Sequence, residues 1–447
     1  MVQIEARLDE LKVLGLQRRT RLVSGPQGPH VVLDGKPVLL CSDNCLGLAD
    51  HPRVREAAAD AATRWGVGAG ASRLASGTMT IHRRLEERLA EFLGRESTLQ
   101  FGSRHLANVG TITALARAGD VVFCDECNHP SIVDGCRLSG AETFVYEHCD
   151  TDHLRWGIER AEGRGALIAS ASVFPIDGDL APLAEIVGLA QRFSLRTLID
   201  ESHALGALGP GGRGALAASG LEDHVDAITG TLGAALGAFG GYVACDRQMA
   251  RYLVNAAHTF ACTALPPPVV AGALAALGLL AERPERVRRL AANAGVLRDG
   301  LQRAGFELDA AATHIVPVPL GDPKLAVAVG ESALLHGVFV EAIRPPAVPA
   351  PAARLRLTAM ATHRPEELAS AARTLATVAR ALGFEPRAAR AEAAQATTEA
   401  NQGMDDDRPG RDRPGHDRSG REPGHDDLPA APGVFDFEAP ERARRAA

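Results

Sequence analysis

The chain has 447 residues, a formal net charge of −7 and an apolar content of 46%, of which little is aromatic. That length allows two compact lobes, each with a core of its own, and no run of about 18 apolar residues is present to cross a membrane as a helix. No long basic face supports nucleic-acid binding, and the N-terminus lacks an apolar signal core, which makes the cytoplasm the expected location.

Lys12, Lys36 and Lys324 are the only lysines among 48 basic residues. Nearly all positive charge is therefore arginine, which cannot replace lysine in a Schiff base. Of the eight cysteines, Cys124 and Cys127 have C-x-x-C spacing, with His129 two residues on. That spacing suits a redox pair or half a zinc site, but no second C-x-x-C completes a tetrahedral site, and no metal is expected.

In chain order, residues 1–25 pattern as a helix, with Ile4, Leu8, Leu11 and Leu14 at helical spacing. Residues 30–42 read as a hairpin around Asp34-Gly35. Together, residues 1–49 are expected to form an N-terminal arm. From 50 to 285, amphipathic helices such as 82–94 (HRRLEERLAEFLG) and 183–193 (LAEIVGLAQRF) accompany short apolar strands. Those strands are TLQF, VVFC, TFVY, ALIASASVF, RTLID, AITG and GYVAC. The alternation predicts an α/β domain, a large and mostly parallel sheet with helices on both faces. A long helical region over 266–305 follows. Then HIVPVPL, VFVEAI and RLRLTAM, with helices around them, predict a smaller α+β domain over 286–387. Residues 388–447 are charged, Pro/Gly-rich and imperfectly repeated, so they read as a disordered tail. Its GVFDFEAP patch reads as inert tail or as a short docking element.

Ligands in parallel α/β sheets sit at the carboxyl ends of the strands. Asp200 ends RTLID, and an acidic group there can hold a ring nitrogen protonated. His203, three residues on, can hydrogen-bond a phenolic oxygen. His129 lies in the loop after VVFC, where an imidazole can stack on a flat ring or simply be solvated. Phe101-Gly-Ser-Arg-His-Leu-Ala-Asn108 runs from strand into helix, and free N–H groups at a helix start cradle phosphate. Arg356 in RLRLT can fork onto a carboxylate.

These elements, in this order, resemble the α-oxoamine synthases, a pyridoxal-phosphate group that includes 8-amino-7-oxononanoate synthase and serine palmitoyltransferase. The matching text runs through NCLGLADHPRV, GAGASRLASGTMTIHRRLE, FPIDGDLAPLAEIV, DESHALGALGPGGRG, TGTLGAALGAFGGY, TALPPP and IRPPAVPAPAARLRLTAMATH, roughly residues 40–380. The resemblance implies the type I aminotransferase fold and paired sites at a homodimer interface. It implies His129 stacked on the pyridine ring, Asp200 on the ring nitrogen and His203 on the ring oxygen. Thr231 and the Ser103-Arg104-His105 turn would hold phosphate, and Thr263 would reach the neighbouring subunit's phosphate. Arg356 would bind the amino-acid carboxylate.

The resemblance breaks where chemistry is expected. The lysine that carries the cofactor in this family is replaced by Ala234, and Ala235 beside it is no better. Asp43 replaces an asparagine that faces the substrate carboxylate, Cys45 a tyrosine, and Pro175 a serine. Three readings follow. The chain is an inactive homologue serving as partner subunit to a lysine-containing paralogue. Alternatively, it is an enzyme holding pyridoxal or pyridoxamine phosphate noncovalently, with His129 or His203 as base. In the third reading it is a Lys→Ala variant of an ordinary synthase. The family reaction joins a small amino acid to an acyl thioester, on CoA or on an acyl carrier protein.

Overall fold

The computed structural model describes residues 4–14, 16–34, 36–37, 41–308 and 313–385. The 388–447 tail, with its GVFDFEAP patch, lies outside the described residues. Seven strands form the large sheet: β1 (Ser97–Phe101), β2 (Val121–Asp125), β3 (Glu142–Tyr146), β4 (Gly165–Ala171), β5 (Arg196–Asp200), β6 (Ala227–Thr231) and β7 (Gly241–Cys245). Their order is β1-β7-β6-β5-β4-β2-β3. Every pairing from β6 to β3 is parallel, while β7 runs antiparallel to both β1 and β6. The mostly parallel α/β sheet expected from the alternation is present.

Its central strands are buried along most of their length because both faces are covered. Val121 and Phe123 point into one core, while Val122 and Cys124 point into the other. The first core receives α1 (Pro52–Trp65), α2 (Thr80–Leu93) and α5 (Pro267–Glu282) through Val54, Leu85, Leu89 and Val270. The second receives α3 (Arg104–Leu115) and α4 (Pro130–Ser139) through Ala107, Ile112, Ile132 and Cys136.

The helical region over 266–305 is two helices, α5 and α6 (Glu285–Arg303), which part at Arg283-Pro284. Pro284 has no N–H to donate into a continuing helix. A second sheet orders β8 (Ile315–Gly321), β10 (Ala353–Thr358) and β9 (Glu341–Ile343), all antiparallel. It packs on α6 and α7 (Pro365–Ala381) through Leu297, Leu301, Leu368 and Leu375.

The N-terminal helix is shorter than the periodicity predicts and covers Ile4–Val13 only. Ile4 and Leu8 are exposed, and no residue of the helix is buried against the described residues. The following basic run is drawn instead onto the second lobe, where Arg19 and Arg21 both pair with Glu331. The expected hairpin is present as Val32–Leu33 against Lys36–Pro37, with Val23–Ser24 as a third strand.

Candidate active site

The ends of β2, β4, β5 and β6 open onto one edge of the sheet, where Asp200, His203 and His129 gather around Arg104. Asp200 is the last residue of β5 and is fully buried. Its Oδ1 accepts from the Ser202 N–H at 2.9 Å. Its Oδ2 accepts from Asn108 Nδ2 at 2.8 Å and from Arg104 Nε at 2.6 Å. Burial pushes the carboxyl pKa up, but the Arg104 charge and these three donors reverse that and hold it at about 2. Asp200 is a carboxylate that accepts one hydrogen bond on Oδ1 and two on Oδ2.

His203 lies over the same guanidinium, its Nε2 3.4 Å from Arg104 Nη1. Burial first and the Arg104 charge second drive its pKa well below the ordinary value, so it is neutral. Its Nδ1, Arg104 Nη2 and Ser202 Oγ are buried without protein partners.

His129 caps α4, its Nδ1 accepting from the Ser131 N–H at 3.2 Å and meeting Ser131 Oγ at 2.7 Å. Burial and Arg104 lower its pKa to about 4. Asn128 fixes this loop against β4, donating to the Ala169 carbonyl and accepting from the Ala171 N–H. Ser131 also accepts from Asn108, so His129, Ser131, Asn108 and Asp200 form one network.

The Ser103-Arg104-His105 turn opens α3, but its three side chains diverge. Ser103 Oγ caps the helix by accepting from the Leu106 N–H. His105 is exposed and turns toward Asp134. Arg104 alone reaches into the site. Thr231 Oγ1 accepts from the Gly233 N–H and donates to the Gly240 carbonyl, which ties the ends of the 231–240 loop together. Thr263 is exposed and bridges to Ser72, so within this chain it does not join the group around Asp200.

The small-residue run TGTLGAALGAFGGY admits close backbone approach at two points. A Cβ on Gly237 (φ +59°) would lie 2.4 Å from Ala49 N, and one on Gly241 would lie 2.4 Å from the Ser103 carbonyl oxygen. Ala235 belongs to the core and packs on Gly206, whereas Ala234 is buried outside every core cluster. Lys12 and Lys324 are exposed on helices that contribute nothing to the site.

On the far wall, β10 brings in buried Arg356. Its Nε donates to the Pro175 carbonyl at 2.6 Å and its Nη2 to Asp43 Oδ1 at 3.3 Å. Partial desolvation raises the Asp43 pKa and Arg356 more than offsets this, leaving it below the ordinary range. The resemblance assigns Arg356 to a substrate carboxylate, and in this chain a carboxylate of its own already stands there.

Sequence reasoning passed over Asn108, Ser131 and Ser202 as partners, and over His314. The last is buried with Nδ1 unpartnered and is lowered to about 4 by burial and Arg356. One signal was available for Arg104. A cation in the first turn of a helix opposes the helix dipole, so it requires a compensating anion from elsewhere in the fold.

Of the C-x-x-C pair, Cys124 is buried and accepts from Asn128 while Cys127 is exposed, and all eight cysteines are free thiols. Among the described residues one group has metal-ligand spacing, Asp125, His148 and Cys149. His148 spends both nitrogens on carboxylates there, at 2.9 Å from Asp125 and 2.7 Å from Asp179. No helix among the described residues is long and apolar enough to cross a membrane.

Residues 36–375 match the family model for aminotransferase class I and II. The chain is 47% identical over 375 residues to 8-amino-7-oxononanoate synthase of Geobacter metallireducens, across 83% of this chain and 96% of that protein. It is 46% identical over 379 residues to the same-named protein of Geobacter sulfurreducens, across 83% and 97%. Among solved structures, it resembles a lysine-to-alanine variant of serine palmitoyltransferase from S. paucimobilis with bound PLP–myriocin aldimine. That match has a TM-score of 0.81 and 32% identity, over 86% of this chain and 98% of that one. Serine palmitoyltransferase of Sphingomonas wittichii gives the same TM-score and coverage at 30% identity. The chain is a member of the aminotransferase class I and II family and, within it, of the pyridoxal-phosphate-dependent α-oxoamine synthases.

Proposed function

We propose that this chain does not carry out the α-oxoamine condensation by itself and serves as the non-catalytic partner of a lysine-containing paralogue. The observation that carries this reading is Ala234, a buried methyl where the resemblance requires the lysine. Losing one group that is both nucleophile and base removes a covalent anchor and a proton carrier together, and each factor of ten in rate is about 1.4 kcal/mol of barrier. Three neutral histidines, His129, His203 and His314, remain near the site, but none supplies an amine.

The partner role draws support from the rim of the site. Leu74, beside the Ser72–Thr263 bridge, is 58% exposed, and Phe239, in the loop that carries Ala234, is 59% exposed. Apolar side chains flanking a cleft in this way suit a second subunit, a lysine-containing paralogue or another copy of this chain. Thr263, exposed on that rim, is then free to contribute to the partner's site. The acyl thioester, on CoA or on a carrier protein, would be handled by the catalytic subunit.

Lysine loss alone does not decide the cofactor's fate, since the matched serine palmitoyltransferase variant holds a PLP–myriocin aldimine. An enzyme holding pyridoxal or pyridoxamine phosphate noncovalently is the competing reading.

The test is an assay of the purified chain with small amino acids and acyl thioesters, alone and co-expressed with a lysine-containing paralogue. No product alone and a stable complex with the paralogue is the expected result. Turnover by the isolated chain overturns the reading.

A further inference from the structure

The two side chains that the resemblance assigns to the cofactor's ring are Asp200, for the nitrogen, and His203, for the ring oxygen. In this chain a single guanidinium spans them, with Arg104 Nε 2.6 Å from Asp200 and Nη1 3.4 Å from His203. Asp200 already accepts three hydrogen bonds, from Ser202 on Oδ1 and from Asn108 beside Arg104 on Oδ2. A pyridine ring between Asp200 and His203 requires Arg104 to leave. The residues present do not fit the group.

We propose that Arg104 is a built-in replacement for the cofactor: its guanidinium takes the ring's place between Asp200 and His203, and the chain does not bind pyridoxal phosphate. The charge logic is direct. A protonated pyridine gives the buried carboxylate one positive charge and one N–H, and the guanidinium gives it the same charge and one N–H through Nε, with Nη1 left to meet His203. The arginine is tethered, so it has no translational freedom to lose and no concentration dependence. Evicting it would uncover a buried carboxylate and send a cation back to solvent.

The opposite wall repeats the arrangement with the sign reversed. Asp43 stands on Arg356 where a substrate carboxylate would be. Both charged recognition groups of the site are therefore met from within the chain, which folds with its cleft neutralised.

This inference rests on the family's assignment of Asp200 and His203 to the ring, and it is separate from the loss of turnover. It is tested by calorimetric titration of pyridoxal phosphate and pyridoxamine phosphate into wild type, Arg104→Ala and Arg104→Gln, with thermal melts alongside. The glutamine variant keeps a hydrogen bond to Asp200 if the alanine variant folds poorly. Expected are no saturable binding to wild type and saturable binding to at least one variant, tighter by about a hundredfold or more. Cofactor should also raise that variant's melting temperature and leave wild type unmoved. Wild type binding either form as tightly as the variants, or variants binding no better than wild type, overturns it. Binding without turnover would defeat this inference and leave the functional reading standing.

Discussion

Asp200 Oδ2 lies 2.6 Å from Arg104 Nε, a contact between the end of one central strand and the first residue of a helix 96 positions away in sequence. The carboxylate is wholly inaccessible and the guanidinium 12% exposed. A buried pair of this kind adds little over an apolar replacement of both partners, but removing one partner strands the other. Arg104→Ala is therefore expected to lower unfolding free energy by about 3–5 kcal/mol. Asp200→Asn in the same background should recover part of it. Denaturant titrations of the two single variants and the double variant close the cycle, and a coupling near zero would show that the contact is incidental.

Adjacent carboxyls on the Asp200-Glu201 step should titrate in opposite senses. Asp200 is held at about 2 against an ordinary 3.8, so its stabilisation is present above pH 3.8 and is lost as pH falls toward 2. Glu201 is buried and raised to about 7 from 4.5, despite accepting from the Ala215 and Leu216 N–H groups. Its contribution is present below 4.5 and is lost as pH rises through 7, by an amount on the order of 3 kcal/mol. Stability measured in urea should therefore decline from mildly acidic to mildly alkaline pH. Glu201→Gln should flatten that slope, and an unchanged slope would place its origin elsewhere.

The fold was legible because β2 opens on the apolar run Val121–Cys124, β7 has no polar side chain but the Tyr242 hydroxyl, and α2 is amphipathic and stopped by Gly94, signals that local sequence carries in full. The site was legible as a set of positions, since Asp200 and Thr231 end strands, His129 and His203 lie in the loops after strands, and Arg356 lies on one. What Arg104 does was not legible. Its neighbours suggested a phosphate cradle at a helix start, and only the spatial return of β5 beneath α3 shows its side chain committed to Asp200. Asp43 was read as a like charge against substrate; that it stands on Arg356 needed β10 brought against the 41–45 segment.

Asp43 is 59% exposed, so its pair with Arg356 should add no more than about 1 kcal/mol to folding. Its effect should fall on binding. Asp43→Asn removes the internal carboxylate and is expected to strengthen binding of small carboxylates such as acetate or alanine by about three- to tenfold. Calorimetric titration checks this, and equal affinity in the two proteins would remove Asp43 from the account.

Restoring the lysine should not restore the site. With Arg104 in place, Ala234→Lys is expected to yield no synthase activity and no cofactor fixed to protein after borohydride reduction. Ala234→Lys combined with Arg104→Ala should retain cofactor covalently after the same treatment, read by intact mass. Activity from Ala234→Lys alone would make this chain an ordinary synthase carrying a single substitution.

The most direct measurement is a crystal structure of the wild-type chain grown with saturating pyridoxal phosphate. The account predicts the Arg104 guanidinium on Asp200 and His203, with no ring between them. A pyridine nitrogen on Asp200, with Arg104 turned out of the cleft, would contradict it.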